Sequence, residues 1–271
     1  MCSVWAAHLQ IIAQVADDEA DVYLILMGEA DEAIAQENYA VAAKRLNEAL
    51  EAFPDNPSNV LLLSNLGTVY NYMDSDSLAL NVFNEALRRA PSMTVTIENR
   101  GRLLLKMGRE MEAYDDFARV IELDSCNTSA RYLHGMMALY GGDTAQAEKD
   151  FNVLESLAPD NINTKIAMSS LYSATGRYGL AKSYYLDLLE NDPSPENFAS
   201  LVECCISDDN LSEASAVVSK AIERYPGDAE LYYCRAWLNK ERYLLKEARE
   251  DAKKAVRLGY DPEKVEALFR K

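Results

Sequence analysis

FNEALRRAP (residues 83–91) decides the fold, because the chain writes a loose copy of it seven times. Extended by one residue it reads VFNEALRRAP to Pro91, and the parallel stretches are RLNEALEAFP to Pro54, DFARVIELDS to Ser125 and DFNVLESLAP to Pro159. YYLDLLENDP to Pro193, VVSKAIERYP to Pro226 and DAKKAVRLGY to Tyr260 complete the set. The closing residues 54, 91, 125, 159, 193, 226 and 260 are separated by 37, 34, 34, 34, 33 and 34 positions. A period of this size with helical patterning marks an array of small helical units, each too small to bury its apolar face without a neighbour.

The columns inside the period say how each unit is built. Twelve residues before every marker stands Ala: Ala42, Ala79, Ala113, Ala147, Ala181, Ala214 and Ala248. Twenty-four before, the residue is small (Ala30, Gly67, Gly101, Gly135, Ser169, Ala236), with Val202 as the exception. Eight before, it is large (Leu46, Phe83, Phe117, Phe151, Tyr185, Val218), with Ala252 as the exception. Small residues on both arms of a helical hairpin let two backbones approach, and an aromatic then fills the space towards the next hairpin. Pro at the marker ends the second helix, since it lacks an N–H and crowds the preceding turn.

These columns resemble the tetratricopeptide repeat family, most clearly over 60–93 with Gly67, Tyr70, Ala79, Phe83, Ala86 and Pro91. The resemblance covers about residues 23–262, in units 23–56, 60–93, 94–127, 128–161, 162–195, 195–228 and 229–262. It implies an all-α, right-handed α-solenoid (superhelix) of about seven helix-turn-helix repeats, with helix A of each unit lining a concave face. Three residues (57–59) are inserted after the first unit, and the sixth unit is one residue short, which predicts a splayed or shifted hairpin there. The stretch 261–271 (DPEKVEALFRK) has Asp261 to cap, Pro262 at the first helical position, and Val265, Leu268 and Phe269 on one side. It reads as a terminal helix capping the array.

Formal charge is −17 over 271 residues, which argues against nucleic-acid binding through phosphates. Residues 240–271 run the other way, with ten basic side chains against seven acidic, as exposed helix faces and C-termini favour. No apolar run is long enough for an integral membrane span. The five cysteines, at 2, 126, 204, 205 and 234, match neither a disulfide framework nor a zinc site. Residues 1–14 are apolar and precede an acidic VADDEAD (15–21), so they read either as the remnant of a signal peptide or as an N-terminal helix. The first reading makes the protein periplasmic or secreted; the second leaves it cytoplasmic.

Chemistry is sparse. There are two histidines, and His134 sits beside the small Gly135, where the repeat buries side chains. Gly141-Gly142-Asp143 reads as the turn of the fourth hairpin, and Asp115-Asp116 and Asp208-Asp209 as solvated helix faces and turns. No catalytic motif, cofactor loop or metal-ligand spacing is present, so no enzyme activity, cofactor or metal is expected. The repeat resemblance places a partner groove on helix A at the second, fifth, ninth, twelfth and thirteenth residues of each unit. There stand Tyr72, Tyr132, Met136, Tyr140, Tyr233 and Trp237, an aromatic groove suited to a peptide. Arg102 and Lys106 are cations at these positions in the third unit, too few for a carboxylate clamp. The acidic surround predicts a protein or peptide partner with basic residues beside apolar anchors. The competing expectation is a structural oligomer, stacking through its terminal hairpins.

Overall fold

The computed structural model describes residues 22–270, and the expectation for residues 1–14 lies outside them. Every regular element among the described residues is an α-helix: α1 (22–35), α2 (Tyr39–Ala52), α3 (Asn59–Tyr72), α4 (Asp76–Arg89), α5 (Thr94–Lys106), α6 (Glu110–Leu123) and α7 (Thr128–Tyr140). There follow α8 (Thr144–Leu157), α9 (Ile162–Ala174), α10 (Tyr178–Asn191), α11 (Pro195–Ser207), α12 (Leu211–Arg224), α13 (Ala229–Glu241), α14 (Leu245–Arg257) and α15 (Pro262–Phe269). The chain is an all-α array of helical hairpins. It forms two compact units that divide after Ala130, early in α7, and within each unit successive hairpins pack on one another.

Each hairpin turns in three residues, and the middle one always has positive φ. Glu37, Asp74, Gly108, Gly142, Gly176, Asp209 and Tyr243 occupy this left-handed site, with φ between 53° and 86°. The next residue's N–H reaches back five positions to close helix A, as in Ser75 N to Tyr70 O at 2.9 Å and Leu244 N to Asn239 O at 2.8 Å. Glycine occupies only three of the seven positions, so this column is hidden in the sequence. Tyr243 is the costly member, since the left-handed region costs a side-chain-bearing residue about 1 kcal/mol or more.

The contact that closes each hairpin lies between the columns twenty-four and eight before the marker, sixteen residues apart. The residues pair as Ala30 with Leu46, Gly67 with Phe83, Gly101 with Phe117, Gly135 with Phe151, Ser169 with Tyr185, Val202 with Val218 and Ala236 with Ala252, all buried. A Cβ on Gly67 would lie 2.5 Å from Phe83 Cε1, and one on Gly135 would lie 2.4 Å from Phe151 Cε1. The aromatic therefore sits on the glycine of its own hairpin, rather than only filling space towards the next. The exceptions in the sequence columns become compensations: a medium Val meets a medium Val, and Ala236 leaves a gap that only α15 closes. The seven invariant alanines are fully buried beside this contact.

A second pair lies one residue earlier in each column, and it is complementary too. Arg100 holds Asp116 in a fork, Nε to Oδ2 at 2.9 Å and Nη2 to Oδ1 at 2.6 Å. Arg235 holds Asp251 at the same two distances. His134 Nδ1 lies 2.7 Å from Asp150 Oδ2, with Arg131 on the other oxygen at 3.2 Å. In the first hairpin the polarity is reversed, with Arg45 Nε 2.7 Å from Glu29 Oε2. In two of the other three hairpins the same positions are apolar, Leu66 with Val82 and Leu201 with Val217, while the fifth has Met168 and Tyr184, whose hydroxyl donates to Glu155. Asp116 is thus a buried salt-bridge partner and not the solvated residue its neighbour Asp115 suggests.

The short sixth unit loses its residue from a connection, not from its hairpin. Asp192-Pro193-Ser194 joins α10 to α11 in three residues where most such connections take four, and α11 and α12 keep the usual turn. The insertion after the first unit lengthens the link to 53–58, and Asn59 already belongs to α3. It is buried, donates to Phe53 O at 2.6 Å and accepts from the Tyr23 hydroxyl at 3.1 Å. At the other end α15, capped by Asp261, lays Val265 and Leu268 over Ala236 and Ala252.

Two predictions test this packing by urea denaturation. Gly135→Leu should cost several kcal/mol through overpacking. Gly135→Ala should cost about 1–3 kcal/mol, and adding Phe151→Leu, which recreates the Ala30–Leu46 pairing, should recover much of it. An unchanged midpoint for Gly135→Leu would contradict the pairing. Asp116→Val alone should destabilise by about 2 kcal/mol or more, because it strands the Arg100 guanidinium, while adding Arg100→Leu should return most of the loss.

Candidate functional site

With two columns of helix A and three of helix B spent on packing, the remaining helix-A positions form the free face. In the first unit, Tyr72 is exposed at the end of α3 and stacks on Tyr39, ring centroids 5.0 Å apart and planes at 21°. Arg102 is already engaged: its Nη2 donates to Glu98 Oε1 at 3.0 Å and to Ser129 Oγ at 2.5 Å. Burial alone would raise the Glu98 pKa, but hydrogen bonds from Ser129, Arg102 and Asn127 outweigh it and lower it. Lys106 is held by Asp74 at 2.7 Å and Asp76 at 2.8 Å. The two cations of this face are thus used within the chain.

In the second unit the predicted stripe on α7 is interrupted. Tyr140 is 81% exposed and Tyr132 is half-buried, its phenol pKa raised by burial and by the neighbouring Tyr140. Met136, between them, is 8% exposed and belongs to the packing rather than to the groove. Residues four apart on a helix drift about 40° around it, so three in a row need not share one surface. Tyr233 and Trp237 are half-buried on α13, with one side against the core and Tyr233 stacked on Tyr260 at 4.4 Å.

Beside them lie two carboxylates that the sequence does not mark as a pair. Glu203 on α11 and Glu230 on α13 are half-buried, and neither makes an ion pair among the described residues. Burial, and then the charge of Glu230, push the Glu203 pKa up against weaker opposition from Lys264 and Cys234. Burial, then Asp228 and Glu196, do the same for Glu230, again against weaker opposition from Lys264. Glu203 is the ninth residue of its unit and Glu230 the second, so the period marked them as helix-A face. What the period could not show is that neither forms an ion pair among the described residues, Lys264 acting on both only through a weaker attraction. Among the described residues no group of His, Cys, Asp and Glu is arranged to hold a metal ion, and no helix is long and apolar enough to cross a membrane. His134 is buried in its clasp with Asp150.

The hairpin columns and the free helix-A face define a helical-repeat protein of the interaction type. Tetratricopeptide repeat models match residues 27–94 and 163–195, so the chain carries tetratricopeptide repeats. It is similar to DnaJ homolog subfamily C member 3 of Rattus norvegicus, 30% identical over 51% of this chain and 28% of that one. The heat shock protein STI1 of Saccharomyces cerevisiae is 30% identical over 49% of this chain and 23% of that one. The chain thus spans only about a quarter of the length of these relatives. A tetratricopeptide repeat protein from Parabacteroides merdae shares the fold at a TM-score of 0.71, with 22% identity over 92% of this chain and 97% of that one.

The raised carboxylate pKa values carry a stability prediction. A carboxyl that binds its proton more tightly folded than unfolded destabilises the fold above its unfolded pKa, the loss growing until pH passes the folded pKa. Glu203→Gln should therefore raise the urea midpoint at pH 7, and this gain should shrink towards zero near pH 4. A gain that persisted unchanged at pH 4 would mean the charge at Glu203 is not its source.

Proposed function

We propose that this chain is a non-catalytic interaction scaffold that binds a peptide or protein segment along the free helix-A faces of its hairpins, with Tyr140, Tyr233 and Trp237 as apolar contacts. The observation that carries the reading is the pair Glu203 and Glu230: both are half-buried, burial outweighs the attraction of Lys264 at each, and neither forms an ion pair among the described residues. A lysine or arginine on the partner would supply the missing charge where partial desolvation makes it count. A chain of net charge −17 should also speed the approach of a basic partner, more so at low salt. A solved relative in fold, YrrB, is described as a tetratricopeptide repeat protein with an unusual peptide-binding site, and it matches here at a TM-score of 0.53 with 19% identity over 68% of this chain and 96% of its own. Stacking of copies through the last hairpin is the weaker reading, since α15 already covers that hairpin with Val265 and Leu268.

Selection of displayed random peptides on the full chain should enrich sequences with Lys or Arg beside Leu, Phe or Tyr. A selected peptide should bind at least about tenfold more weakly to Tyr140→Ala, an aromatic anchor being worth about 1.4 kcal/mol or more. Melting temperature should stay near wild type, because Tyr140 is exposed. Glu223→Lys, on an exposed part of α12, should change neither. Enrichment of acidic peptides, or binding indifferent to Tyr140→Ala, would contradict the proposal.

A further inference from the structure

One cavity in the second unit lies where two hairpin turns meet the end of α13. It is lined by Ile206, Asp209, Leu211, Trp237, Glu241 and Tyr243. Two aromatic rings and two carboxylates over an apolar wall are the elements of a cation pocket: the ring faces attract positive charge and the carboxylates neutralise it.

The backbone supports this use. Asp209 and Tyr243 hold the left-handed turn position of the sixth and seventh hairpins, with φ of 58° and 61°. Aspartate tolerates that conformation and tyrosine does not favour it. Glycine would relieve the strain, as it does at positions 108, 142 and 176. The Tyr243 ring gains nothing from the core in return, being 88% exposed. Strain kept at an exposed aromatic is a feature of ligand sites rather than of packing.

The chain's own cations do not fill the pocket, and no Lys or Arg lines it. Lys240 Nζ pairs with Glu241 Oε1 from outside the lining, at 3.8 Å and without a hydrogen bond, and Arg242 Nη1 is turned to Ser215 Oγ at 3.3 Å. Asp209 makes no ion pair among the described residues. The same chain shows how a guanidinium meets a tyrosine: Arg177 lies 4.6 Å from the Tyr172 ring and Arg235 lies 5.2 Å from that of Tyr232.

We infer that this pocket binds a cationic side chain, arginine or lysine, of the bound partner, with Trp237 and Tyr243 against the cation and Asp209 and Glu241 as its counter-charges. The inference rests on the scaffold reading and locates one anchor of the partner within it.

N-acetyl-arginine amide and N-acetyl-lysine amide serve as probes that need no partner. Titrated into the full chain, at least one should shift the Trp237 indole N–H resonance saturably, the peak being assigned with Trp237→Phe. N-acetyl-glutamine amide at matched ionic strength should not. Tyr243→Gly should weaken the cation at least about fivefold, while its melting temperature holds or rises, so lost binding cannot be ascribed to unfolding. Asp209→Asn should weaken it as well. No saturable shift, an equal response to the glutamine amide, or undiminished binding by Tyr243→Gly would overturn the pocket. The scaffold reading fails separately: if Tyr140→Ala leaves peptide binding intact while the arginine probe behaves as predicted, the aromatic face is wrong and the pocket stands.

Discussion

Everything in this molecule depends on how closely the two helices of a hairpin approach, and that distance is set by one pair of side chains per repeat. Where the first helix offers glycine, the second lays a phenylalanine directly on the bare backbone. Where the first carries Ala, Ser or Val, the second shrinks or changes shape to match. The pair one residue earlier obeys the same rule in charge: cation to carboxylate, the reverse, or apolar to apolar. Conserving the sum of each pair, rather than either residue, lets individual columns vary while the repeat geometry holds. The three-residue turn with its left-handed middle residue then fixes the return of helix B.

That economy frees the other helix-A positions from packing, and the second unit spends them on groups that do not help the fold. Glu203 and Glu230 lose hydration without gaining an ion pair among the described residues, and Tyr243 holds a backbone conformation its side chain opposes. In a repeat array such costs are carried by neighbouring interfaces, since stability is a sum over hairpins and their contacts. Their concentration on α11, α13 and the adjoining turns separates this face from that of α5. There the cations Arg102 and Lys106 are paired with carboxylates of the same unit.

The period and its columns made the fold legible, because seven copies in register average out the exceptions. Pairings across a hairpin were less visible: Val202 and Ala252 stood out as irregularities until set beside Val218 and Ala236, and Asp116 is indistinguishable from Asp115 without knowing which helix face is inward. The turn column escaped notice because only three of its seven members are glycine. For the surface, helical phase selected the right helices but not the depth of each side chain. Met136 shares its phase with Tyr140 and is buried, while Arg102, a cation in the right column, is already held by Glu98 and Ser129. That Glu203 and Glu230 form no ion pair among the described residues depends on where distant side chains come to lie, which no spacing encodes.

The central claim is that this face holds carboxylates awaiting an external cation. It is tested most directly by following the ¹³C shift of the Glu203 carboxyl against pH, in the free chain and with a selected basic peptide bound. The account predicts a midpoint above the ordinary glutamate value in the free protein and a clear drop on binding, with protons released as the complex forms. An ordinary midpoint in the free chain, or a raised one that the peptide leaves unmoved, would contradict it.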